Sequence, residues 1–329
     1  MSNKKVKVGI QEVFVKTLKE LVPPNVSLVE EVADILGVST DSVYRRLRGE
    51  TDFSLEEIYV ICSKYPISID SLFSHKGDYA TFGYLTLNDS ITNFERYLQH
   101  LTNNLINVGK HEKNGLIYAA EEVPIFHSLF SKKLASFKVF YWLRSVVNLH
   151  DYQNKKFSFD ILPDHVLELA QKVHDEYLKV PSKEIWTVDT ILTTVRQIEY
   201  YWDLGMFKDK AAAHEILDEL KLMVENLSSY AETERKGPTG APFQLYNSEV
   251  TIGTNCIHVN INDSSYSFIS FNTINSLSTA NQTFCGEIDS WMKNLIKKSI
   301  LISGSNDKQR YQFFSKAIAH IEDCKERIR

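Results

Sequence analysis

From residue 10 onward, apolar positions return at helical spacing. Ile10, Val13, Phe14, Leu18 and Leu21 fall on one face of a helix that Pro23-Pro24 must stop. Ser27-Leu28-Val29-Glu30 has the form of a capping box, in which the Ser hydroxyl accepts an early helix N–H and Glu30 reaches back. The helix it opens buries Val29, Val32, Ala33 and Leu36, and Gly37 ends it. Ser39 then caps a third helix from Thr40 to about Arg48, closed by Gly49. A second capping box, Ser54-Leu55-Glu56-Glu57, opens a helix that runs to Tyr65 before Pro66. A short turn from Ser68 to Phe73 closes this module, and residues 74–80 read as a linker.

Beyond the linker the spacing predicts a helix over Ile91–Val108, a buried strand over Gly115–Ala120 and an aromatic helix over Ser131–Val147. Three more helical stretches follow near 163–179, 187–204 and 208–232, up to a loop at Gly237-Pro238-Thr239-Gly240-Ala241-Pro242. The period then changes to two. Cys256, His258, Asn260 and Asn262 alternate with Ile257, Val259 and Ile261, and Tyr266, Phe268, Ile269 and Phe271 continue after the turn Asn262-Asp263-Ser264-Ser265. A helix near 284–298, a strand over Ile300–Ser303 and a helix over 306–326 complete the chain. The expected fold is mostly α with a small β component. An all-α domain (1–75) precedes an α+β domain (81–329), helical to 235 and mixed from 242, with an antiparallel sheet.

At 329 residues there is room for two domains, at about 100–200 residues each. With 43% apolar and 24% charged residues, the composition is that of a globular protein. The formal charge of −5 gives no global attraction to nucleic acid or anionic membrane, so any DNA binding must come from a local patch. Cys62, Cys256, Cys285 and Cys324 lie far apart, which suits neither a zinc site nor a disulfide framework and fits a reducing compartment. No apolar run approaches the roughly 18 residues of a membrane span, and a cytoplasmic location is expected.

Two short helices joined by a Gly-containing turn form the unit that lays its second helix in the DNA major groove. Ala33 is small where the helices cross, Gly37 turns the chain, and Val38 fills the space beneath. Val43 and Leu47 face inward on the third helix, so Asp41, Tyr44, Arg45 and Arg48 share the opposite face. Arginine there can fork onto guanine, and Tyr or Thr can touch phosphate or a thymine methyl. Thr40 and Ser42 sit in the first turn within reach of a base or the backbone, and Arg46 stands to the side, facing a phosphate.

Residues 28–73 resemble the helix-turn-helix domain of lambda-repressor/Cro-like bacterial regulators. The pattern Ala33…Gly37-Val38-Ser39…Val43…Gly49 carries the resemblance, with Ser54-Leu55-Glu56-Glu57 and the trailing Ile67-Ser68-Ile69-Asp70-Ser71-Leu72-Phe73. Val29 stands where many members have a phosphate-touching Gln, and Arg46 where an apolar residue is usual. The resemblance implies a transcriptional regulator that binds double-stranded DNA, with Thr40, Asp41, Ser42, Tyr44, Arg45, Arg46 and Arg48 as the contact set. Residues 1–75 carry nine Lys/Arg against eleven Asp/Glu, which keeps non-specific affinity modest.

Residues 81–329 show no phosphate-binding glycine loop, no metal-spaced histidines and no nucleophile elbow, so no enzyme activity, cofactor or metal is expected. Glu121-Glu122 reads as a solvated strand end, and His150-Asp151 and His174-Asp175 as exposed helix ends. Gly304-Ser305-Asn306 reads as a plain turn, and the aromatic stretches as core. Arg196 and Arg310 stand among apolar neighbours, which points to partly buried ion pairs. The region is expected to pair two chains into a homodimer and is a candidate seat for a small-molecule effector. The competing readings are an enzyme or effector acting on an unknown substrate through this region, and a protein-interaction adaptor.

Overall fold

The computed structural model describes residues 9–22, 26–65, 67, 69, 79–87, 90–237 and 240–328. The turn expected over 68–73 and most of the linker lie outside them. The chain divides into two compact units, with the boundary between Thr81 and Phe82.

The first unit holds α1 (Ile10–Leu21), α2 (Leu28–Leu36), α3 (Thr40–Leu47) and α4 (Leu55–Lys64). Each of the last three starts where a serine hydroxyl accepts an orphan N–H: Ser27 from Glu30, Ser39 from Ser42 and Ser54 from Glu57. At Ser54 the box is reciprocal, with the Glu57 carboxylate accepting the Ser54 N–H at 3.0 Å. Gly37 ends α2 at φ 65°, a left-handed conformation that a Cβ would strain. The buried faces meet in one core of Phe14, Leu18, Val32, Val43, Phe53 and Ile61, where Phe14 and Phe53 pack edge to face at 5.6 Å.

The second unit is mostly helical and is built on a seven-stranded mixed sheet. Its strands are β1 (Asn114–Ala120), β2 (Ser182–Trp186), β3 (Phe243–Asn247), β4 (Cys256–Ile261), β5 (Ser264–Ser270), β6 (Ser276–Thr279) and β7 (Ile300–Leu301), in the order β6-β5-β4-β1-β2-β3-β7. The expected hairpin is present as β4–β5, with Cys256 opposite Ile269 and Ile261 opposite Ser264. The sheet extends well past it. β1, β2 and β3 run parallel; β1 is the strand expected over Gly115–Ala120, and β2 is a second one in a stretch otherwise expected to be helical up to 235. β2 contains Lys183 and Glu184, which break its apolar pattern in the sequence.

One face of the sheet supports a large core. Leu116, Tyr118, Trp186, Leu245 and Val259 meet five helices there: α5 (Ile91–Gly109), α7 (Lys132–Tyr141), α9 (Asp164–Tyr177), α10 (Asp189–Asp203) and α11 (Ala211–Thr233). The short helices α6 (Ile125–Ser128) and α8 (His150–Gln153) connect them, and α7 widens into a π-helical turn over Trp142–Val146. The last helix, α13 (Asp307–Arg327), joins the same core. On the opposite face Ala119, Ile185, Tyr246 and Cys256 pack against Met292 and Leu295 of α12 (Gln282–Lys298). With both faces covered, β1 has no solvent side, and its apolar run is the consequence.

All four tryptophans (142, 186, 202, 291) lie in the second unit, so their fluorescence reports on it alone. Ile61 is fully buried in the first. Ile61→Ala is expected to destabilise the first unit by about 2–5 kcal/mol through the lost methyl groups and the cavity left behind. In denaturant unfolding, an early helical transition should separate in circular dichroism while the tryptophan transition keeps the wild-type midpoint. A tryptophan midpoint that moves by the same amount would show a single cooperative unit.

Candidate nucleic-acid interface

α3 presents two different faces. Val43 is fully buried and Leu47 packs at the edge of the core. Thr40, Asp41, Tyr44, Arg45 and Arg48 are exposed on the other side, with Tyr44 at 49%. The predicted residues therefore share a surface, with two exceptions. Ser42 and Arg46 are half-buried and bonded to each other.

Arg46 has all three guanidinium nitrogens engaged within the protein. Nε donates to Glu57 Oε2 at 3.0 Å and Nη2 to Glu57 Oε1 at 2.8 Å. Nη1 donates to the Ser42 carbonyl at 3.1 Å and to Ser42 Oγ at 2.5 Å. This fork spans from α3 to the start of α4, and its side chains are only 16% and 19% exposed. The Arg46 hydrogen bond, opposed by partial burial, holds the Glu57 carboxyl below the ordinary carboxylate range. Arg46 can occupy a position where an apolar residue is usual because Glu57 meets its charge. Gln11 adds a second tie: its amide donates to the Arg46 and Thr51 carbonyls at 2.9 Å each and accepts the Phe53 N–H at 2.9 Å.

Arg45 and Arg48 are each 63% exposed and share one acidic neighbour, Glu50, at 3.9 and 3.3 Å. Exposed pairs of this kind contribute about 0–1 kcal/mol, so Glu50 holds the two guanidinium groups only weakly. Val29, at the opening of α2, is half-buried against the core.

In the second unit, several sequence readings change. Arg196 is exposed instead of partly buried. Arg310 is buried, donates to the Gly304 carbonyl at 2.6 Å and pairs with Asp307. A Cβ at Gly304 would meet the Glu234 carboxylate at 3.2–3.5 Å, so that corner already faces an acid. His174 is not an exposed helix end. It is buried against the Phe126 carbonyl at 2.8 Å, and burial drives its pKa down to about 4. Glu121 is exposed, but Glu122 is not a solvated strand end: burial raises its carboxyl, and it lines a cavity. Sequence adjacency masked this, because consecutive residues at a strand end point in different directions.

Among the described residues, no group of three His, Cys, Asp or Glu side chains is arranged to hold a metal ion. No helix among them is long and apolar enough to cross a membrane.

A serine-capped helix pair around a left-handed glycine, with an arginine-bearing exposed face, is a helix-turn-helix. The BetR domain family model matches residues 15–92. That family is one of helix-turn-helix-type regulatory domains, and the match supports a DNA-binding region at the N-terminus. No curated protein and no solved structure matches the chain.

Glu57 has a depressed pKa, so its contribution to stability is complete above the ordinary carboxylate pKa and is lost as pH falls through the folded value. Acidifying from about pH 6 to about pH 3 is expected to lower the unfolding midpoint of the first unit, and Glu57→Gln should flatten that dependence. Circular dichroism melts across this range check it. Equal slopes for wild type and variant would remove Glu57 as the source.

Proposed function

We propose that the protein is a sequence-specific transcriptional regulator of the lambda-repressor/Cro type, acting in the cytoplasm. In this reading Tyr44, Arg45 and Arg48 contact bases, Thr40 and Asp41 flank them in the first turn, and Arg46 and Ser42 set the pitch of the reading helix. The observation that carries it is the division of α3 into a buried side, a tethered edge and an outward face with two arginines that are 63% exposed. A domain this small gains affinity by spanning two half-sites about one DNA turn apart, so the second unit is read as the dimerising and sensing part and not as a catalyst.

One observation favours a protein partner instead. Leu55 (76% exposed) and Tyr59 (70% exposed) stand one turn apart on α4, and Val60 lies beside them. An adaptor would dock through this stripe.

Selection from a randomised duplex pool at about 50 and 200 mM salt separates the readings. The wild type should enrich a palindrome with half-sites about 10 base pairs apart, and Arg45→Ala/Arg48→Ala should lose it. Enrichment by neither protein, or by both alike, contradicts DNA reading by α3. Light scattering of the full chain should give a dimer, and monomer alone at high concentration would contradict the pairing role. Removing the acid that faces both arginines has the opposite effect: Glu50→Gln is expected to tighten binding to the selected site by about two- to fivefold in anisotropy titrations. Unchanged or weaker binding would place Arg45 and Arg48 away from the DNA.

A further inference from the structure

The second unit holds a partly open cavity of about 240 Å³ between α5 and the helical-core face of β1, β4 and β5. Its walls are mainly apolar, with Leu101, Leu105, Ile257, Val259 and Phe268 among them. An apolar cavity of roughly 150 Å³ is enough to hold benzene, so this one has room for more than a single ring.

Two features set it apart from a packing defect. Trp142, only 2% exposed, lines it, yet the indole Nε1–H has no hydrogen-bond partner among the described residues. A buried donor left unmade costs about 1–3 kcal/mol, and an acceptor brought in by a ligand recovers that. Trp142 also opens the π-helical turn that follows α7, and such turns concentrate at functional sites.

The second feature is Glu122, at the end of β1, held there by the Asn255 side chain, which accepts the N–H groups of Glu121 and Glu122 at 2.9 and 3.3 Å. Burial raises its carboxyl, and the nearby Lys138 draws it back down. Lys138 is fully buried, donates to Gln197 at 2.8 Å and lies 5.3 Å over the Trp142 ring. Burial lowers the Lys138 ammonium while Glu122 draws it up, so each of these buried groups bears on the other. No Lys, Arg or His lines the cavity among the described residues, so an incoming anion finds no partner.

We infer that this cavity binds a small, uncharged, mainly apolar molecule of about two rings or an equivalent chain, whose single carbonyl-type acceptor takes the Trp142 indole hydrogen. The inference rests on reading the second unit as a sensor only for its biological meaning. Binding is measured without DNA, so failure of the DNA reading leaves it standing and its own failure leaves the DNA reading standing.

The test uses the full chain and the neutral fluorescent ketone 6-propionyl-2-dimethylaminonaphthalene, followed by its blue shift on titration. Saturable binding is expected, with 2-acetylnaphthalene displacing the probe about five- to tenfold better than naphthalene and 2-naphthoate worst of the three. Trp142→Phe keeps the ring and removes the donor, so it should bring the ketone and the hydrocarbon to within about twofold of each other. Ile257→Trp fills the cavity and should abolish the signal.

No saturation of wild type up to on the order of 100 µM overturns the proposal. So does full probe binding by a folded Ile257→Trp chain, or preference for the naphthoate. An undiminished ketone preference in Trp142→Phe overturns the assignment of the donor, and that variant remains informative if Ile257→Trp does not fold.

Discussion

The fork between Arg46 and Glu57 is the constraint on which the first unit depends. It ties the third helix to the start of the fourth through two charge-assisted bonds, 3.0 and 2.8 Å long, in a setting largely shielded from water. The same carboxylate closes the cap of α4, so one residue fixes both the orientation of α3 and the beginning of its neighbour. Gln11 brings α1 to the same place through the carbonyls of Arg46 and Thr51. With one edge of α3 held this way and Val43 anchored beneath, Tyr44, Arg45 and Arg48 project from a rigid base. That matters because a base-reading arginine discriminates only when its fork arrives in register with the base edge.

The second unit shows the same logic in a drier setting. Glu184 lies fully buried in the middle of β2. Its carboxylate accepts from Trp186 Nε1 at 2.8 Å, faces His127 Nε2 at 2.8 Å and accepts the Tyr177 hydroxyl. Lys236, also buried, crosses the Tyr177 ring and donates to the Tyr177 and Val180 carbonyls at 3.0 and 2.8 Å. Such a network is tolerable only when every member is satisfied, and that requirement fixes α6 and α9 against the parallel strands. Phe126, stacked on Tyr177 at 4.3 Å, carries this rigidity to the wall of the Trp142 cavity.

What the sequence reveals follows from the range of its signals. The helices of the first unit are legible because Ser39 and Ser54 announce them and Gly37 ends the second, all local events. The β4–β5 hairpin is legible from alternation around Asn262-Asp263. β2 is hidden because Lys183 and Glu184 both look like surface, and the His127 and Tyr177 that meet the buried Glu184 are distant or out of register in the chain. Arg46 reads as a phosphate contact until Glu57, eleven residues on, is seen to accept its fork. Glu122 reads as solvated because its neighbour Glu121 is. In each case the missing information is a partner that only folding brings near.

In the proposed reading the outward face of α3, and not the apolar stripe of α4, meets DNA. The most direct measurement places the photo-crosslinker benzoylphenylalanine at Tyr44 or at Tyr59 of the full chain, which are 49% and 70% exposed, and irradiates each with duplex DNA. A salt-sensitive DNA adduct is expected from position 44 and little from position 59. An adduct that forms equally at 59, or forms there and not at 44, would contradict it.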